Sequence, residues 1–123
     1  MNSADKKSLG NLGEGLARKF LEERDYKILC ENYHSRHGEA DLIVYDQKTK
    51  DVVFVEVKTR SGSFYGSPSE AVDRRKKERL NFTAQKYLKE NNYGSNQNYR
   101  FDIISVEMDL EKHTAKIKQE KYI

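Results

Sequence analysis

The sequence has few of the features that mark secreted or membrane-embedded proteins. Its single cysteine, Cys30, excludes an internal disulfide framework and suits a reducing compartment, so a cytoplasmic location is expected. Runs of aliphatic and aromatic residues, such as Val52–Val55, are far too short to cross a bilayer, and no membrane association is expected. No apolar segment follows the polar start Met1–Lys7, so no signal peptide is expected either. The chain contains no internal repeat or low-complexity segment.

The charge of the chain is unevenly placed. Its 123 residues are 36% hydrophobic and 35% charged, and eight tyrosines and five phenylalanines favour a packed core over disorder. A single domain over residues 1–123 is therefore expected. The net charge of +3 is too small to identify a partner, but residues 68–91 carry seven Lys or Arg and four Asp or Glu, a surplus equal to the whole net charge. Such a basic segment fits a nucleic-acid partner and, equally, a solvated helix face.

The apolar periodicity predicts a first helix over Leu9–Arg24. Its inward stripe repeats every four residues at Leu12, Leu16 and Phe20 and is widened by Ala17 and Leu21. Gly13 falls near the middle of this stripe. A glycine inside a helix costs roughly 1 kcal/mol relative to alanine, so close packing against another backbone is a plausible reason for it. Glu14 lies at the edge of the same stripe and can therefore reach towards whatever the helix packs on.

The rest of the chain reads as five strands and a second helix. Ser67 is the predicted N-cap of that helix, Pro68 its first residue and Glu70 the partner in a capping box. Its inward stripe consists of Val72, Leu80, Ala84, Tyr87 and Leu88. The strands are predicted over Lys27–Tyr33, Glu39–Tyr45, Val52–Arg60, Tyr99–Glu107 and, as a final edge strand, Thr114–Lys118. The order α-β-β-β-α-β-β predicts an α/β (α+β) fold with one mixed sheet flanked by helices.

The second and third strands form a predicted antiparallel hairpin around the polar segment Asp46–Asp51. If Asp46 pairs with Asp51, then Asp41 lies opposite Glu56. Alternation along the strands places a charged set on one face, namely Glu39, Asp41, Glu56, Lys58 and Arg60. A slip of one residue would separate these groups, so the prediction depends on the turn.

Two carboxylates that face each other across a hairpin need an explanation, because like charges there are destabilising. One carboxyl group can take up a proton, both can be hydrated on an open surface, or a divalent cation can lie between them. In the last case Lys58, two residues beyond Glu56, would stabilise negative charge on a phosphoryl group. The competing interpretation is an ordinary solvated face with cross-strand ion pairs, Glu39 with Lys58 among them.

The same residues carry a family resemblance. Asp41, followed by Glu56-Val57-Lys58 on the next strand, resembles the D…(D/E)xK signature of restriction-endonuclease-like nucleases. Over nearly the whole chain, the sequence resembles the YraN-like family of small bacterial proteins, which are similar to archaeal Holliday-junction resolvases. The matching segments are Gly10-x-x-Gly13-Glu14-x-x-Ala17, Asn32-Tyr33, Gly38–Ile43, Phe54–Lys58 with Arg60, Gly66-x-Pro68, Lys76 and Arg100-Phe101-Asp102.

The resemblance implies a restriction-endonuclease-like core and a metal-dependent site. It implies that Asp41 and Glu56 bind Mg²⁺ or Mn²⁺ beside the carbonyl of Val57, that Lys58 is the catalytic lysine, and that Glu14 completes the site. It assigns no catalytic role to Glu39. The function that follows is a DNA nuclease, with branched or flapped DNA as candidate substrates and a homodimer as the candidate assembly. The alternative is a nucleic-acid-binding or protein-interaction domain of the same fold with little or no cleavage.

Several basic residues are candidate contacts for the DNA backbone. Lys76 lies within the inward arc of the second helix, so its ammonium group either reaches past the core to water or points over the sheet towards a phosphate. Arg60 is either a phosphate contact or the end of a solvated face. His34 stands where family members often have arginine, which is expected to weaken a phosphate contact, although Arg36 remains. The other candidates, on the second helix, are Arg74, Arg75, Lys77 and Arg79.

Overall fold

Two helices and five strands make up the computed structural model, which describes residues 3–61 and 73–122. Their order is α-β-β-β-α-β-β, as predicted. The elements are α1 (Ser3–Glu22), β1 (Tyr26–His34), β2 (Glu39–Asp46), β3 (Val52–Ser61), α2 (Arg74–Glu90), β4 (Tyr99–Asp109) and β5 (Thr114–Lys121). In the described part of the chain no helix is long and apolar enough to cross a membrane.

The five strands form one mixed sheet in the order β1-β2-β3-β4-β5, so β5 is an edge strand as predicted. Neighbouring strands are antiparallel except for β3 and β4, which run parallel from Val52↔Tyr99 to Ser61↔Met108. A parallel pair needs a crossover connection, and α2 lies within that connection. The predicted fold class, a mixed sheet flanked by helices, is confirmed.

Each face of the sheet is covered by one helix. Ala17 and Leu21 of α1 pack with Leu42, Val44 and Val53 of the sheet. On the opposite face α2 packs over the sheet, and that core includes Phe54, Phe101, Ala84, Tyr87 and Leu88. Coverage of both faces explains the continuous apolar run Val52–Val55, because a central strand of such a sheet has no solvated side.

The inward stripe of α1 differs from the prediction. Leu12 is 54% exposed, whereas Ala17 and Leu21 are fully buried. Gly13 shares their side of the helix and lies so close to β3 that a Cβ atom built on it would be 1.8 Å from Oγ1 of Thr59. Close packing therefore explains the glycine, but the packing partner is the side chain of Thr59 and not the backbone that the sequence suggests. This close approach also turns the helix so that Leu12 points outwards.

The start of α2 also differs from the prediction. The helix begins at Arg74 behind Asp73, which has an extended conformation and accepts a hydrogen bond of 2.8 Å from the backbone N–H of Lys76. Aspartate is as good an N-cap as serine, so Asp73 provides an effective start signal for this helix. The predicted capping box, Ser67 to Glu70, and the stripe residue Val72 lie outside the described residues.

Candidate functional site

The β2–β3 hairpin has the predicted register. Leu42 pairs with Val55 and Tyr45 with Val52, so Asp41 and Glu56 are the next residues beyond the last pair. At this point the two strands part. β2 stays paired with β1 as far as Glu39, and β3 stays paired with β4 as far as Ser61. The two carboxylates therefore lie at an opening in the sheet.

Asp41 compensates for the lost strand pairing. Its Oδ2 accepts a hydrogen bond of 2.7 Å from the backbone N–H of Val57. A strand residue presents its N–H and its C=O to the same neighbouring strand, so the Val57 carbonyl lies at this edge as well. Three oxygen-bearing groups, of Asp41, Glu56 and Val57, thus converge where the hairpin opens.

The environment of Asp41 disfavours its negative charge. Burial raises the pKa of this carboxyl group, and the nearby carboxylates of Glu56 and Glu39 raise it further. The hydrogen bond from Val57 and the proximity of His34 act in the opposite direction without cancelling the effect. A cation bound at Asp41 would relieve this electrostatic cost.

Glu14 of α1 lies within electrostatic reach of Asp41, although it does not line the cleft described below. Burial raises the pKa of Glu14, and the charge on Asp41 and then that on Glu31 raise it further, so the helix brings this group within electrostatic reach of Asp41. One turn later Arg18 donates hydrogen bonds to Glu31 at 2.9 Å and to Glu22 at 3.1 Å, which ties α1 to β1. The structure therefore brings Glu14 to Asp41, as expected from the helix edge.

A cleft of about 270 Å³ opens between the sheet and α2 beside these groups. Glu39, Asp41 and Glu56 lie on its sheet side, and α2 contributes Lys76 and Arg79. Its other lining residues are His37, Gly38, Ala40, Phe54, Val55, Leu80, Thr83, Phe101 and Tyr122. The cleft therefore combines carboxylates and cations over an apolar floor, an arrangement that suits an anionic ligand bound together with a divalent cation.

Lys76 lines this cleft, as one of the two sequence interpretations proposed. Its ammonium group donates a hydrogen bond to the hydroxyl of Tyr122 and lies 4.7 Å from the centre of that ring. Tyr122 is itself buried, and its backbone N–H donates to the carbonyl of Phe101 at 2.7 Å. The tyrosine thus fixes the position of the lysine over the sheet.

Lys58 and the remaining predicted phosphate contacts are not among the residues that line the cleft. Lys58 and Arg60 follow Glu56 on the same face of β3 and are half-buried. Glu39 has its carboxylate 3.1 Å from Nδ1 of His34, a different contact from the proposed pair with Lys58. Four further predicted DNA contacts are exposed, Arg36 in the β1–β2 turn and Arg74, Arg75 and Lys77 on α2. Arg74 is engaged in an ion pair of 3.2 Å with Glu78.

The donor set fits a hard divalent cation. Across residues 3–61 and 73–122, no group of three or more His, Cys, Asp or Glu side chains is arranged to hold a metal ion. The candidate donors are instead two carboxylates and a backbone carbonyl. Mg²⁺ is typically bound by one or two carboxylates while it keeps several waters, and all-oxygen sites also suit Mn²⁺.

The sequence predicts Arg79 as a contact for the DNA backbone on the basic face of α2, and the structure adds that it lines the cleft, three residues from Lys76. Two other parts of the site were not predicted. Tyr122 follows the last strand and carries no sequence signal of its role. His37 and Phe82 form a tilted aromatic pair that depends on the contact between the β1–β2 turn and α2.

The fold and the cleft define a small mixed α+β protein with an acidic site at the mouth of an open hairpin. The model of the family described as "Uncharacterised protein family UPF0102" matches residues 13–106, which include all the carboxylates discussed above. The chain belongs to this UPF0102 (YraN) family, as its motifs predicted.

Individual relatives match over most of the chain. A UPF0102 protein of Caldanaerobacter subterraneus subsp. tengcongensis is 42% identical over 114 residues, 93% of this chain and 91% of the relative. A UPF0102 protein of Nocardia farcinica is 44% identical over 104 residues, 85% of this chain and 80% of the relative. A UPF0102 protein of Desulforamulus reducens is 37% identical over 119 residues, 97% of each chain.

Proposed function

We propose that this protein is a metal-dependent nuclease that hydrolyses phosphodiester bonds in DNA. The observation that carries the proposal is the cleft in which Asp41 and Glu56 face Lys76 and Arg79. A phosphodiester bound there meets cations on one side and a pair of carboxylates on the other. An ordinary solvated strand face explains neither the opening of the hairpin at Asp41 nor the half-buried setting of that carboxyl group.

The carboxylates are the proposed metal ligands. Asp41 and Glu56, with the carbonyl of Val57 at the same edge, would hold Mg²⁺ or Mn²⁺. When bound, such a cation supplies Lewis-acid stabilisation of phosphoryl charge and favours ionisation of water. Val57 donates to Asp41 through its N–H, and this 2.7 Å hydrogen bond fixes one carboxylate oxygen and leaves the other available. Glu14 adds negative charge from α1 and strengthens the attraction for a cation.

The cations are the proposed phosphate ligands. Lys76, held by Tyr122, and Arg79 would bind the non-reacting phosphate oxygens from the α2 side. Lys58 would orient the attacking water and stabilise the charge that develops on the phosphoryl group, since it follows Glu56 on the same face of β3. Arg60 and the exposed basic residues around the cleft would extend the contact along the DNA backbone.

A second function, binding of nucleic acid without cleavage, is favoured by one observation. Within the described residues no complete cluster of metal-ligating side chains is present, so the affinity for a cation depends on two carboxylates and on the substrate itself. The basic residues of α2 bind a DNA backbone whether or not the carboxylates hold metal.

A cleavage assay separates the two functions. End-labelled linear, flapped and four-way-junction DNA is incubated with the protein and millimolar Mg²⁺ or Mn²⁺ and analysed on denaturing gels. We expect metal-dependent cleavage that Lys58→Ala reduces by about 10²- to 10³-fold, the typical effect of removing one group that stabilises transition-state charge. The matched control is Lys112→Ala, an exposed lysine in the β4–β5 turn, which should cleave like the wild type. Equal cleavage by the Lys58→Ala variant would contradict the proposal, and binding without cleavage would support the second function.

A further inference from the structure

An exposed aromatic pair lies at the mouth of the cleft. The rings of His37 and Phe82 have their centroids 5.3 Å apart, with an angle of 33° between their planes. His37 lines the cleft itself, and Phe82, on α2, is 54% exposed. A single exposed phenylalanine on a helix is common, so the pair needs further support before a function is assigned to it.

The first support is that His37 is held in place. It sits in the β1–β2 turn, where the hydroxyl of Ser35 donates to the carbonyl of Gly38 at 2.9 Å. The hydroxyl oxygen of Ser35 also accepts hydrogen bonds from the backbone N–H groups of His37 and Gly38, both at 3.2 Å. The turn packs tightly on α2, because a Cβ atom added to Gly38 would lie 3.0 Å from Oγ1 of Thr83. The backbone of His37 is thus fixed by the turn, which holds the residue beside Phe82.

The second support is the charge around Phe82. Arg75, Arg79, Phe82 and Lys86 are spaced by four, three and four residues, so they lie on one stripe of α2, and all four are exposed. In the part of the chain that the structure describes, no ion pair engages the three cations of this stripe, whereas Arg74 on another side of α2 is paired with Glu78. The stripe is therefore a basic track with an aromatic residue in its middle.

We propose that His37 and Phe82 stack on an unpaired base of a DNA single strand whose backbone follows the stripe of Arg75, Arg79 and Lys86 into the cleft. Proteins that bind single-stranded nucleic acid combine basic residues that follow the backbone with aromatic side chains on which bases stack. The inference rests on the proposed function, since it specifies the strand whose phosphodiester enters the site. Its consequence is that the substrate is single-stranded or flapped DNA.

A duplex cannot use this pair in the same way. The bases of a duplex are already stacked on one another, so an aromatic platform meets only the backbone or the terminal base pair. A strand with unpaired bases can place one of them on Phe82 while the adjacent phosphate reaches Arg79, which lies one helical turn away on α2 and lines the cleft. The aromatic pair thus discriminates between strand types, and the cations of the stripe bind both.

A binding experiment without metal tests the inference. Fluorescence anisotropy is measured in EDTA with a labelled oligothymidylate of about ten nucleotides, within the range of single-strand sites, and with a duplex of equal length. We expect Phe82→Ala to weaken single-strand binding about five- to tenfold, the lower end for loss of one stacked base, and to change duplex binding by less than about twofold. Phe82→Tyr should retain single-strand binding. Leu110→Ala, a matched control with 57% exposure in the wild type, should change neither affinity.

The basic stripe has its own test. Arg75→Ala should weaken binding to single strand and duplex alike and reduce the slope of log affinity against log salt by about one. The inference is overturned if Phe82→Ala binds the single strand as tightly as the wild type, or loses duplex binding to the same extent. Cleavage in metal is scored separately with Lys58→Ala. If cleavage requires Lys58 but Phe82→Ala leaves DNA binding unchanged, only the proposed base stacking is refuted. If single-strand binding depends on Phe82 but the protein does not cleave DNA, only the proposed nuclease activity is refuted.

Discussion

The close approach of α1 to β3 at Gly13 makes a specific prediction about stability. In Gly13→Ala, the new methyl carbon would lie 1.8 Å from Oγ1 of Thr59 and 2.7 Å from both Cβ and Cγ2 of that residue. Ordinary carbon contacts are about 3.5–4.0 Å, so rotation of the threonine side chain cannot relieve the overlap at Cβ. The helix itself has to move away from the sheet by about 1 Å or more.

The size of the effect follows from two opposing contributions. Overpacking of this kind costs about 1–3 kcal/mol, and here we expect the upper end because Ala17 and Leu21 share the displaced face. Alanine in place of a helical glycine recovers up to about 1 kcal/mol. The net loss for Gly13→Ala should be about 2 kcal/mol, which for a chain of this size lowers the melting temperature by roughly 6–10 °C.

The matched control lies two residues away on the same helix. No atom lies within 4 Å of a Cβ built on Gly15, so Gly15→Ala should raise stability by about 0.5–1 kcal/mol. Both variants are measured by thermal and urea unfolding followed by circular dichroism. Adding Thr59→Ala to Gly13→Ala removes two of the three overlapping atoms and should recover part of the loss. A Gly13→Ala variant as stable as Gly15→Ala would refute the packing argument.

Two further predictions concern charge. Metal at ten times its Kd should raise the free energy of unfolding of the wild type by about 1.4 kcal/mol, as measured by thermal melting. Asp41→Asn keeps an acceptor for the Val57 N–H, so it should be more stable than the wild type without metal and should not be stabilised by metal. If metal stabilises this variant as much as the wild type, Asp41 is not a ligand. Arg100 contacts Asp46 at 3.1 Å, Asp51 at 2.9 Å and Asp102 at 3.2 Å, so Arg100→Met should cost about 3 kcal/mol at neutral pH in urea unfolding. Burial opposes ionisation of Asp46, but hydrogen bonds from Lys48, Thr49 and Arg100 outweigh it and lower its pKa. The lowered pKa of Asp46 stabilises the fold above the unfolded pKa of about 3.9, and this stabilisation is lost as the pH falls through the pKa of Asp46 in the folded protein. The free-energy cost of Arg100→Met should therefore shrink in acid. A cost that does not change with pH would contradict this explanation.

The hairpin register could be predicted from the sequence because local signals determine it. The polar turn Asp46–Asp51 and the alternation on each side allow one pairing that keeps Leu42 and Val55 on the buried face. The family motif around Asp41 and Glu56 agreed with that register. The position of Glu14 followed in the same way, from its place at the edge of the buried stripe of α1.

Other features could not be predicted because they depend on contacts between distant segments. No local signal indicates that β2 separates from β3 at Asp41, because the separation depends on β2 staying paired with β1 and β3 staying paired with β4. The outward rotation of Leu12 follows from the contact between Gly13 and Thr59, 46 residues apart in sequence. The tilted aromatic pair of His37 and Phe82 likewise requires the β1–β2 turn to meet α2.

In the proposed mechanism, Asp41 and Glu56 hold the cation and Lys58 acts on the phosphate. These roles are separated by the single-turnover cleavage rate of a flapped DNA, measured as a function of Mg²⁺ concentration for the wild type, Glu56→Gln and Lys58→Ala. We predict that Glu56→Gln shifts the half-maximal rate to a higher Mg²⁺ concentration, because a ligand is weakened. Lys58→Ala should instead lower the maximal rate and leave the metal midpoint unchanged. Cleavage that is independent of Mg²⁺, or identical in all three proteins, would contradict the account.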